Sequence, residues 1–280
     1  MSGVPVLDVD VAVPTCGRPE ALVATLAGLA GQRRLPARVV VADQTPGPGN
    51  LDVVEVRSVV AELRRRGVDV EGHRRPEQRG VAEQRAFLLA RVRSPYALFL
   101  DDDVLLEPEV LGRLREAIGV LACGFVGAAV QGLSHLGDVR PHEQRVEWWD
   151  GPVRPERVRK GDPAWERWRL HNAANLVHVE RGLGLADGEW RAYKVAWVGG
   201  CVLFDVAALR AVGGWDFWPQ LPAASRAEDL VVQLRLLEAY GGAGVVPSGA
   251  HHLELPTTLV DRRVDAYSVV LEAADAVAGG

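Results

Sequence analysis

The sequence predicts an α/β fold with a mostly parallel central sheet, and two observations carry this prediction. Short apolar runs alternate with helix-like segments through the first half of the chain, which is typical of parallel strands joined by crossover helices. One of these runs, residues 96–100, ends directly in three carboxylates, Asp101, Asp102 and Asp103. Because ligands bind at the carboxyl ends of strands in open α/β sheets, we expect the functional site at this edge.

Composition restricts the classes of protein to which this chain can belong. Its 280 residues are 48% hydrophobic, which is enough for one large α/β domain or two small ones. No apolar run is long enough to span a membrane and the N-terminus lacks a signal-peptide pattern, so we expect a cytoplasmic protein. The net charge of −5 argues against nucleic acid as a partner. The three cysteines lack metal-binding spacing and are expected to be free thiols.

The elements of the first half follow in a regular order. Apolar runs of strand length occupy residues 8–13, 38–42, 68–70 and 96–100. Helical periodicity occupies residues 20–32, 51–66, 81–92 and 108–121. Pro19 stands where a helix can begin, and a strand over 125–131 follows the last of these helices.

The second half is less regular. Residues 132–194 lose periodicity and are rich in Gly, Pro, Arg and Trp. Order returns with a strand over 197–204 that contains a glycine pair. The remaining predicted elements are helices over 205–212 and 228–240, a short strand over 244–246 and a helical tail over 261–278. The helix over 228–240 is closed by the glycine pair Gly241-Gly242, as helix ends commonly are.

The carboxylate triplet has two interpretations. Along an extended chain Asp101 and Asp103 point one way and Asp102 the other. Converging carboxylates repel each other unless a cation lies between them, and Mg²⁺ or Mn²⁺ takes oxygen ligands. The alternative is a solvated acidic turn before a helix, with Asp103 or Glu107 near the helix N-terminus. The triplet alone leaves both interpretations open.

Short motifs occur in a characteristic order along the chain. They are Pro14-Thr15 with Arg18, Asp43 at a strand end, Gly80 with Arg85, Asp101-x-Asp103, Gly199-Gly200, Gly213-Gly-Trp215-Asp216, Glu228-Asp229, and a histidine at 251 or 252. This order resembles the family 2 glycosyltransferases of the GT-A fold, over roughly residues 8–131 and 195–252. The chain departs from the family pattern at Gln44-Thr-Pro after Asp43, and at Gln78 and Ala86, where the family has Asn.

The resemblance implies a metal-dependent, inverting transfer of a sugar from a nucleoside-diphosphate sugar to an acceptor hydroxyl. UDP-sugar is the default donor, and Mn²⁺ or Mg²⁺ is the implied cofactor. Asp103 is the implied metal ligand, with Asp101 on the ribose or a metal-bound water. Either His251 or His252 adds a ligand, and the spacing favours His252. The implied donor-side residues are Pro14, Thr15, Arg18, Asp43, Arg79, Gly80, Arg85, Asp101, Asp102, Gly199 and Gly200.

The catalytic pair implied by the resemblance is Glu228-Asp229, with Asp229 as the base that deprotonates the acceptor and Glu228 beside it. Without the resemblance, two carboxylates in a first helical turn are ordinary helix electrostatics. The implied organisation is one domain of four parts. These are a nucleotide-binding half (1–131), a Trp-rich insertion (132–194), an acceptor and catalytic half (195–260) and a helical tail (261–280).

Aromatic side chains suggest the acceptor site, because their faces suit carbohydrate rings. The candidates are Trp148, Trp149, Trp197 and Trp215. The alternative for the Trp-rich insertion is a local core or a subunit interface, so a homo-oligomer stays open. The acceptor itself can be a glycan, a lipid-linked glycan or a small natural product.

Two rival functions remain. An aspartate-based, Mg²⁺-dependent phosphotransferase also uses Asp-x-Asp at a strand end, but that family places the motif near its first strand and needs a downstream lysine. The lysines here are Lys160 and Lys194, both in the irregular segment. A non-catalytic relative that only binds nucleotide-sugars is the second rival, and the presence of Asp101, Asp103 and Asp229 argues against it.

Overall fold

A computed structural model describes residues 4–257 and 263–273. The strands are β1 (Val6–Thr15), β2 (Leu35–Asp43), β3 (Asp69–Arg74), β4 (Tyr96–Leu100), β5 (Val104–Leu106), β6 (Phe125–Gly127), β7 (Arg191–Tyr193), β8 (Cys201–Asp205), β9 (Ser225–Arg226), β10 (Gly242–Val246), β11 (Ala250–His252) and β12 (Val264–Asp265). The α-helices are α1 (Pro19–Ala30), α2 (Val54–Arg65), α3 (Val81–Leu89), α4 (Val110–Leu121), α5 (Asn175–Leu183), α6 (Val206–Ala211) and α7 (Glu228–Tyr240).

Eight of these strands form the central sheet, in the order β3-β2-β1-β4-β8-β6-β10-β7. Strands β3, β2, β1 and β4 are mutually parallel, and β10 is parallel to β6. Strand β8 lies between β4 and β6 and runs antiparallel to both. The predicted α/β fold with a mostly parallel sheet is therefore confirmed, with antiparallel strands in its second half. Two small ladders, β5 with β11 and β9 with β12, lie outside this sheet.

Helices cover both faces of the sheet and separate its core into two layers. Apolar residues of α1, α2 and α4 pack on one face, with Leu22, Leu63 and Leu114 among the buried side chains. Helices α3, α6 and α7 pack on the other face, together with the Trp-rich insertion. Strands buried on both faces explain why the first-half strands read as continuous apolar runs.

Local chemistry explains several element ends. Helix α1 begins at Pro19, whose missing N–H costs nothing in a first turn. Helix α6 begins after Asp205, whose carboxylate accepts a hydrogen bond from the Ala208 N–H at 2.8 Å. Helix α7 carries Glu228 and Asp229 in its first turn, where negative charge is favoured by the helix dipole.

The structure corrects several sequence-based boundaries. The predicted strand over 125–131 ends at Gly127, and the one predicted over 197–204 begins only at Cys201, because Gly200 adopts φ +76°. The segment predicted to be irregular, 132–194, contains helix α5 and strand β7. The predicted tail helix over 261–278 lies partly outside the described residues, and its described part holds one π-helical turn, Ser268–Glu272.

Residues 4–257 and 263–273 contain no helix that combines the length and apolarity needed to cross a membrane.

Candidate active site

Two cavities open at the carboxyl end of β4, and the larger one also borders the end of β1 and the first turn of α7. The larger cavity has a volume of about 560 Å³ and the smaller one about 320 Å³. The larger cavity is lined by predicted site residues from distant parts of the sequence, namely Pro14, Thr15, Arg18, Gly80, Arg85, Asp101, Asp102, Glu228 and Asp229. The smaller cavity is lined by Asp101, Trp197, Gly199, Gly200 and His252 from the predicted set. Asp101 therefore belongs to both.

Arg18 joins the end of β1 to the carboxylate triplet. Its Nη1 donates to Asp103 Oδ2 at 2.7 Å, and its Nη2 pairs with Asp102. Asp102 also accepts a hydrogen bond from Thr15 Oγ1 at 2.5 Å. Burial raises the pKa of Asp102 to about 6 against the opposing effect of Arg18. These contacts fix the loop after β1 against the end of β4.

The two adjacent histidines face opposite sides of β11, as alternation along a strand requires. His252 Nε2 lies 3.4 Å from Asp103 Oδ2, whereas His251 Nε2 lies 2.9 Å from Glu107 Oε1. His251 therefore faces Glu107 and not Asp103, and its role as a metal ligand stays a prediction that these contacts do not support. The favoured alternative, His252, is the one that approaches Asp103.

Asp103 and His252 form a donor set that suits a divalent cation only in part. They offer one oxygen and one nitrogen, and the described residues hold no cluster of three or more His, Cys, Asp or Glu side chains arranged for a metal. Mg²⁺ and Mn²⁺ sites in phosphate-binding proteins commonly use one or two protein ligands and complete their shell with phosphates and water. The pair fits a cation bound in that way, with Arg18 sharing the Asp103 carboxylate.

Arg85 links three carboxylates at the centre of the site. Its side chain is 8% exposed, and its Nη2 donates to Asp101 Oδ1 at 2.8 Å. Its Nη1 lies 3.3 Å from Glu228 Oε1 and 3.9 Å from Asp229 Oδ2. Arg85, which was predicted to bind the donor, is therefore the cation that holds the end of β4 against the start of α7.

Burial shifts the acidities of this group. Desolvation raises the pKa of Glu228 to about 7 and raises the pKa of Asp229, while Arg85 opposes both shifts. The neighbouring carboxylates in turn raise the pKa of Arg85, so it stays charged. Because Glu228 and Asp229 are adjacent and both face Arg85, the protonation of one affects the pKa of the other. Asp229 is 23% exposed and reachable from the larger cavity.

At two positions of this site, other atoms lie so close to the backbone that only glycine fits. Gly80 has φ +92°, and a Cβ there would lie 2.5 Å from the carbonyl oxygen of Ala223, in the loop that lines the larger cavity. Gly200 has φ +76°, and a Cβ there would lie 2.6 Å from Val130. Both positions combine a left-handed backbone with no room for a side chain.

Two predicted donor-side residues contact other side chains and lie outside the lining of the two cavities, so their role in donor binding stays a prediction. The Asp43 carboxylate is fully buried, and it accepts hydrogen bonds from Arg74 Nη1 at 2.8 Å and from the Thr45 N–H at 2.9 Å. It therefore fixes the loop after β2 instead of facing the larger cavity. Arg79 is exposed and pairs with Glu77 at 2.6 Å. Neither is among the residues that line the two cavities.

Three of the four tryptophans predicted for an acceptor are placed elsewhere. Trp215 is 1% exposed and packs in the core, with its ring 4.5 Å from that of Phe99. Trp148 pairs with Tyr193 beside the edge strand β7, and the Trp149 backbone bonds to the same strand. None of these three lines either of the two cavities, so their assignment to the acceptor stays a prediction without support there, whereas Trp197 lines the smaller cavity.

Sequence reasoning missed the other wall of the smaller cavity. Trp168, His171 and Asn172 line it, and the first two belong to a 3₁₀ segment, Pro163–His171. Such a helix has three residues per turn, so Trp165, Trp168 and His171 share one edge. The i, i+3 spacing was the available signal, but 3₁₀ runs of this length are uncommon.

Comparison with known proteins identifies the family to which this chain belongs. A family model described as "Glycosyl transferase family 2" matches residues 10–175, more than half of the chain. The chain belongs to this family. The match runs from β1 through the carboxylate triplet to the start of α5. A search of curated proteins finds no match.

Solved structures share the fold of this family 2 chain at low identity. S. aureus TarS 1–349 is 15% identical with a TM-score of 0.56, and the match covers 88% of this chain and 60% of that one. Its complex with UDP-GlcNAc is 13% identical with a TM-score of 0.57, covering 90% and 60%. The mannosyltransferase PcManGT from Pyrobaculum calidifontis, solved with GDP-Man and Mn²⁺, is 15% identical with a TM-score of 0.54, covering 90% and 58%. The chain spans about 60% of the length of these proteins.

Proposed function

We propose that this protein is an inverting, metal-dependent glycosyltransferase that moves a sugar from a nucleoside-diphosphate sugar to an acceptor hydroxyl. The observation that carries the proposal is the single guanidinium of Arg85, which contacts Asp101 at the end of β4 and both carboxylates of the Glu228-Asp229 pair. The proposed donor-side and base-side carboxylates thereby meet around one cavity, as a displacement reaction between two substrates requires.

In this proposal Asp229 is the general base. An acceptor hydroxyl is a weak nucleophile until its proton is removed, and a base within hydrogen-bond reach supplies that step. Asp229 is partly exposed to the larger cavity, and Arg85 favours its ionised form. Glu228 is almost fully buried and Asp229 is the more exposed of the two, so the role of base is assigned to Asp229. Attack by the deprotonated hydroxyl opposite the leaving diphosphate inverts the anomeric carbon.

The larger cavity is the proposed site of the nucleoside diphosphate. Its volume lies within the usual range for small-ligand sites. Thr15, Arg18 and Asp102 line it, and the Arg18 guanidinium suits phosphate oxygens. Asp103 and His252 would hold Mn²⁺ or Mg²⁺, which stabilises the negative charge of a diphosphate leaving group when bound. A UDP-sugar is the proposed donor, supported by the UDP-GlcNAc complex of TarS, while the GDP-Man complex of PcManGT keeps GDP-sugars as the second choice.

The phosphotransferase alternative loses support from the positions of the two lysines. Lys160 lies 3.6 Å from Asp265, and Lys194 lies over the Trp149 ring. Neither lines the larger or the smaller cavity, so neither reaches the carboxylate triplet.

The deciding experiment is calorimetric titration with UDP, GDP and dTDP, each with and without Mn²⁺, followed by incubation with the matching nucleotide-sugars. We expect one diphosphate to bind more tightly with Mn²⁺ and its nucleotide-sugar to be slowly hydrolysed. Binding without any sugar release or transfer would favour a non-catalytic relative. A folded sample that binds none of the three diphosphates would overturn the proposal.

A further inference from the structure

Arg226 is the arginine of the larger cavity that carboxylates engage least. The lining of this cavity carries three arginines, Arg18, Arg85 and Arg226, and four carboxylates. Arg18 and Arg85 are 20% and 8% exposed, and each donates a hydrogen bond to the carboxylate triplet. The Arg226 side chain is 47% exposed, and its Nη2 lies 3.6 Å from Asp265 Oδ2, which is too long for a hydrogen bond. Among the lining arginines, Arg226 therefore keeps the most capacity for an anionic ligand.

The backbone that carries Arg226 is held from two sides. Strand β9 pairs in parallel with β12, and Arg226 stands opposite Asp265 in this register. The loop before β9 approaches Gly80 so closely that a Cβ there would lie 2.5 Å from the Ala223 carbonyl oxygen. Because exposed side chains change rotamer far more readily than a held backbone moves, the guanidinium is the part of this wall that can shift.

Asp265 is the carboxylate that Arg226 faces, and it lies outside the lining of both cavities. Its Oδ1 accepts a hydrogen bond from the Tyr267 N–H at 2.9 Å, which fixes the carboxylate. Its Oδ2 lies 3.6 Å from Arg226 and 3.6 Å from the Lys160 ammonium. Because long ion pairs between partly exposed side chains are weak, the contact between Arg226 and Asp265 is broken at little cost.

Lys160 keeps Asp265 beside a cation when Arg226 moves. The Lys160 ammonium lies 4.3 Å from the centroid of the Tyr267 ring, and the Lys160 N–H donates to the Tyr267 hydroxyl at 3.0 Å. Neither contact involves Arg226, so both persist when the guanidinium leaves. A carboxylate that keeps a second cation at the same distance loses only part of its electrostatic stabilisation.

We propose that Arg226 exchanges between Asp265 and the β-phosphate of the nucleoside diphosphate, with Lys160 neutralising Asp265 in the second arrangement. The inference rests on the proposed function, which places the diphosphate in the larger cavity. A guanidinium is a planar fork of donors that matches phosphate oxygens, and such charged hydrogen bonds are stronger than a long ion pair.

The β-phosphate is assigned because Arg226 lies two residues before Glu228, on the side of the cavity where the sugar leaves. Negative charge grows on the diphosphate as the bond to the sugar breaks, so this contact strengthens during the reaction. Arg226 is thereby a catalytic residue, and Asp265 and Lys160 are positioning residues.

Two variants separate this exchange from a structural ion pair. Arg226→Met removes the phosphate contact, whereas Asp265→Asn removes the competing charge and keeps an oxygen that accepts the Tyr267 N–H. A structural pair predicts that both variants act in the same direction, and the exchange predicts opposite directions. Arg33→Met is the control, because Arg33 is exposed, pairs with Glu109 and lines neither cavity.

The measurement is the calorimetric affinity for UDP and UMP with Mn²⁺, with GDP and GMP in parallel. We expect Arg226→Met to weaken binding of the preferred diphosphate about tenfold or more, and binding of its monophosphate by less than about twofold. Asp265→Asn should strengthen diphosphate binding by about twofold to fivefold, and the control should match the wild type.

The outcomes distinguish this inference from the proposed function. A wild type that binds a diphosphate, with an Arg226→Met variant of equal affinity, would overturn the inference and leave the proposed function standing. Equal losses for diphosphate and monophosphate, or weaker diphosphate binding in Asp265→Asn, would also overturn it. If Arg226→Met does not fold, the direction of the change in Asp265→Asn decides. A wild type that binds no diphosphate would overturn the proposed function itself.

Discussion

Removal of the Arg85 charge tests how the candidate site is held together. In Arg85→Met, Glu228 and Asp229 lose the only cation that the structure places against both of them within the described residues. At separations of 3.3 and 3.9 Å and an effective dielectric constant of about 20, the gross attractions are about 5 and 4 kcal/mol. The cost of desolvating the charges already offsets much of this attraction. Removing one partner of a buried ion pair lowers the free energy of unfolding by about 3–5 kcal/mol net.

The pH dependence of this loss of stability shows whether it comes from carboxylates that lack a cation. Glu228 is protonated below its pKa of about 7, so at pH 5 it needs no cation. We expect Arg85→Met to lower the free energy of unfolding by about 3–5 kcal/mol at pH 8 and by less than half of that at pH 5. Urea denaturation at both pH values measures the two differences. Arg65→Met, which removes an exposed cation paired with Glu62, is the control and should cause no measurable change.

A second variant keeps the test informative if Arg85→Met alone does not fold. Adding Glu228→Gln to Arg85→Met removes one buried charge, so the double variant should recover stability at pH 8. A loss that is equal at pH 5 and pH 8, or one below about 1 kcal/mol, would refute the reasoning that Arg85 compensates ionised carboxylates.

Three further predictions concern the carboxylates. Asp229→Asn should lower sugar release or transfer by at least about 100-fold while the calorimetric affinity for the diphosphate is kept, and unchanged turnover would remove Asp229 as the base. Glu228 has a pKa raised from 4.5 to about 7, so the native state holds the extra proton and stability falls as pH rises between these values, by about 3 kcal/mol. Glu228→Gln should abolish this fall in urea denaturation from pH 4.5 to 7.5, and an unchanged slope would assign it to other groups. Asp103→Asn should remove most of the Mn²⁺-dependent gain in diphosphate affinity, and a gain equal to that of the wild type would exclude Asp103 as a ligand.

The sequence predicted the two ends of the candidate site better than the link between them. An apolar run followed by Asp101 marks a strand end, and Glu228 before an apolar helix marks a helix start. Both signals are local. Arg85 lies on a helix whose periodicity does not reveal which carboxylates its guanidinium reaches, because that depends on how α3 packs against α7.

The tryptophans show a further feature of the site that the sequence does not reveal. Trp197 and Trp215 both occur beside glycine pairs, yet one lines a cavity and the other is enclosed by Phe99 and Phe204. Composition identifies aromatic residues near the site but not the direction in which their rings point. Trp168 was not among the four candidates for the acceptor site, because its neighbours follow a period of three and amphipathic patterns are normally sought at 3.6.

The position of β8 determines the order in which the sheet can form during synthesis. Strand β6 leaves the ribosome well before β8, but its sheet neighbours are β8 and β10, both of which come later in the chain. Strands β1 to β4 can pair as they emerge, whereas β6 has no partner until residues 201–205 arrive and insert between β4 and β6. A nascent chain that ends before residue 201 therefore exposes the outer edge of β4 and both edges of β6, and unpaired strand edges are templates for aggregation.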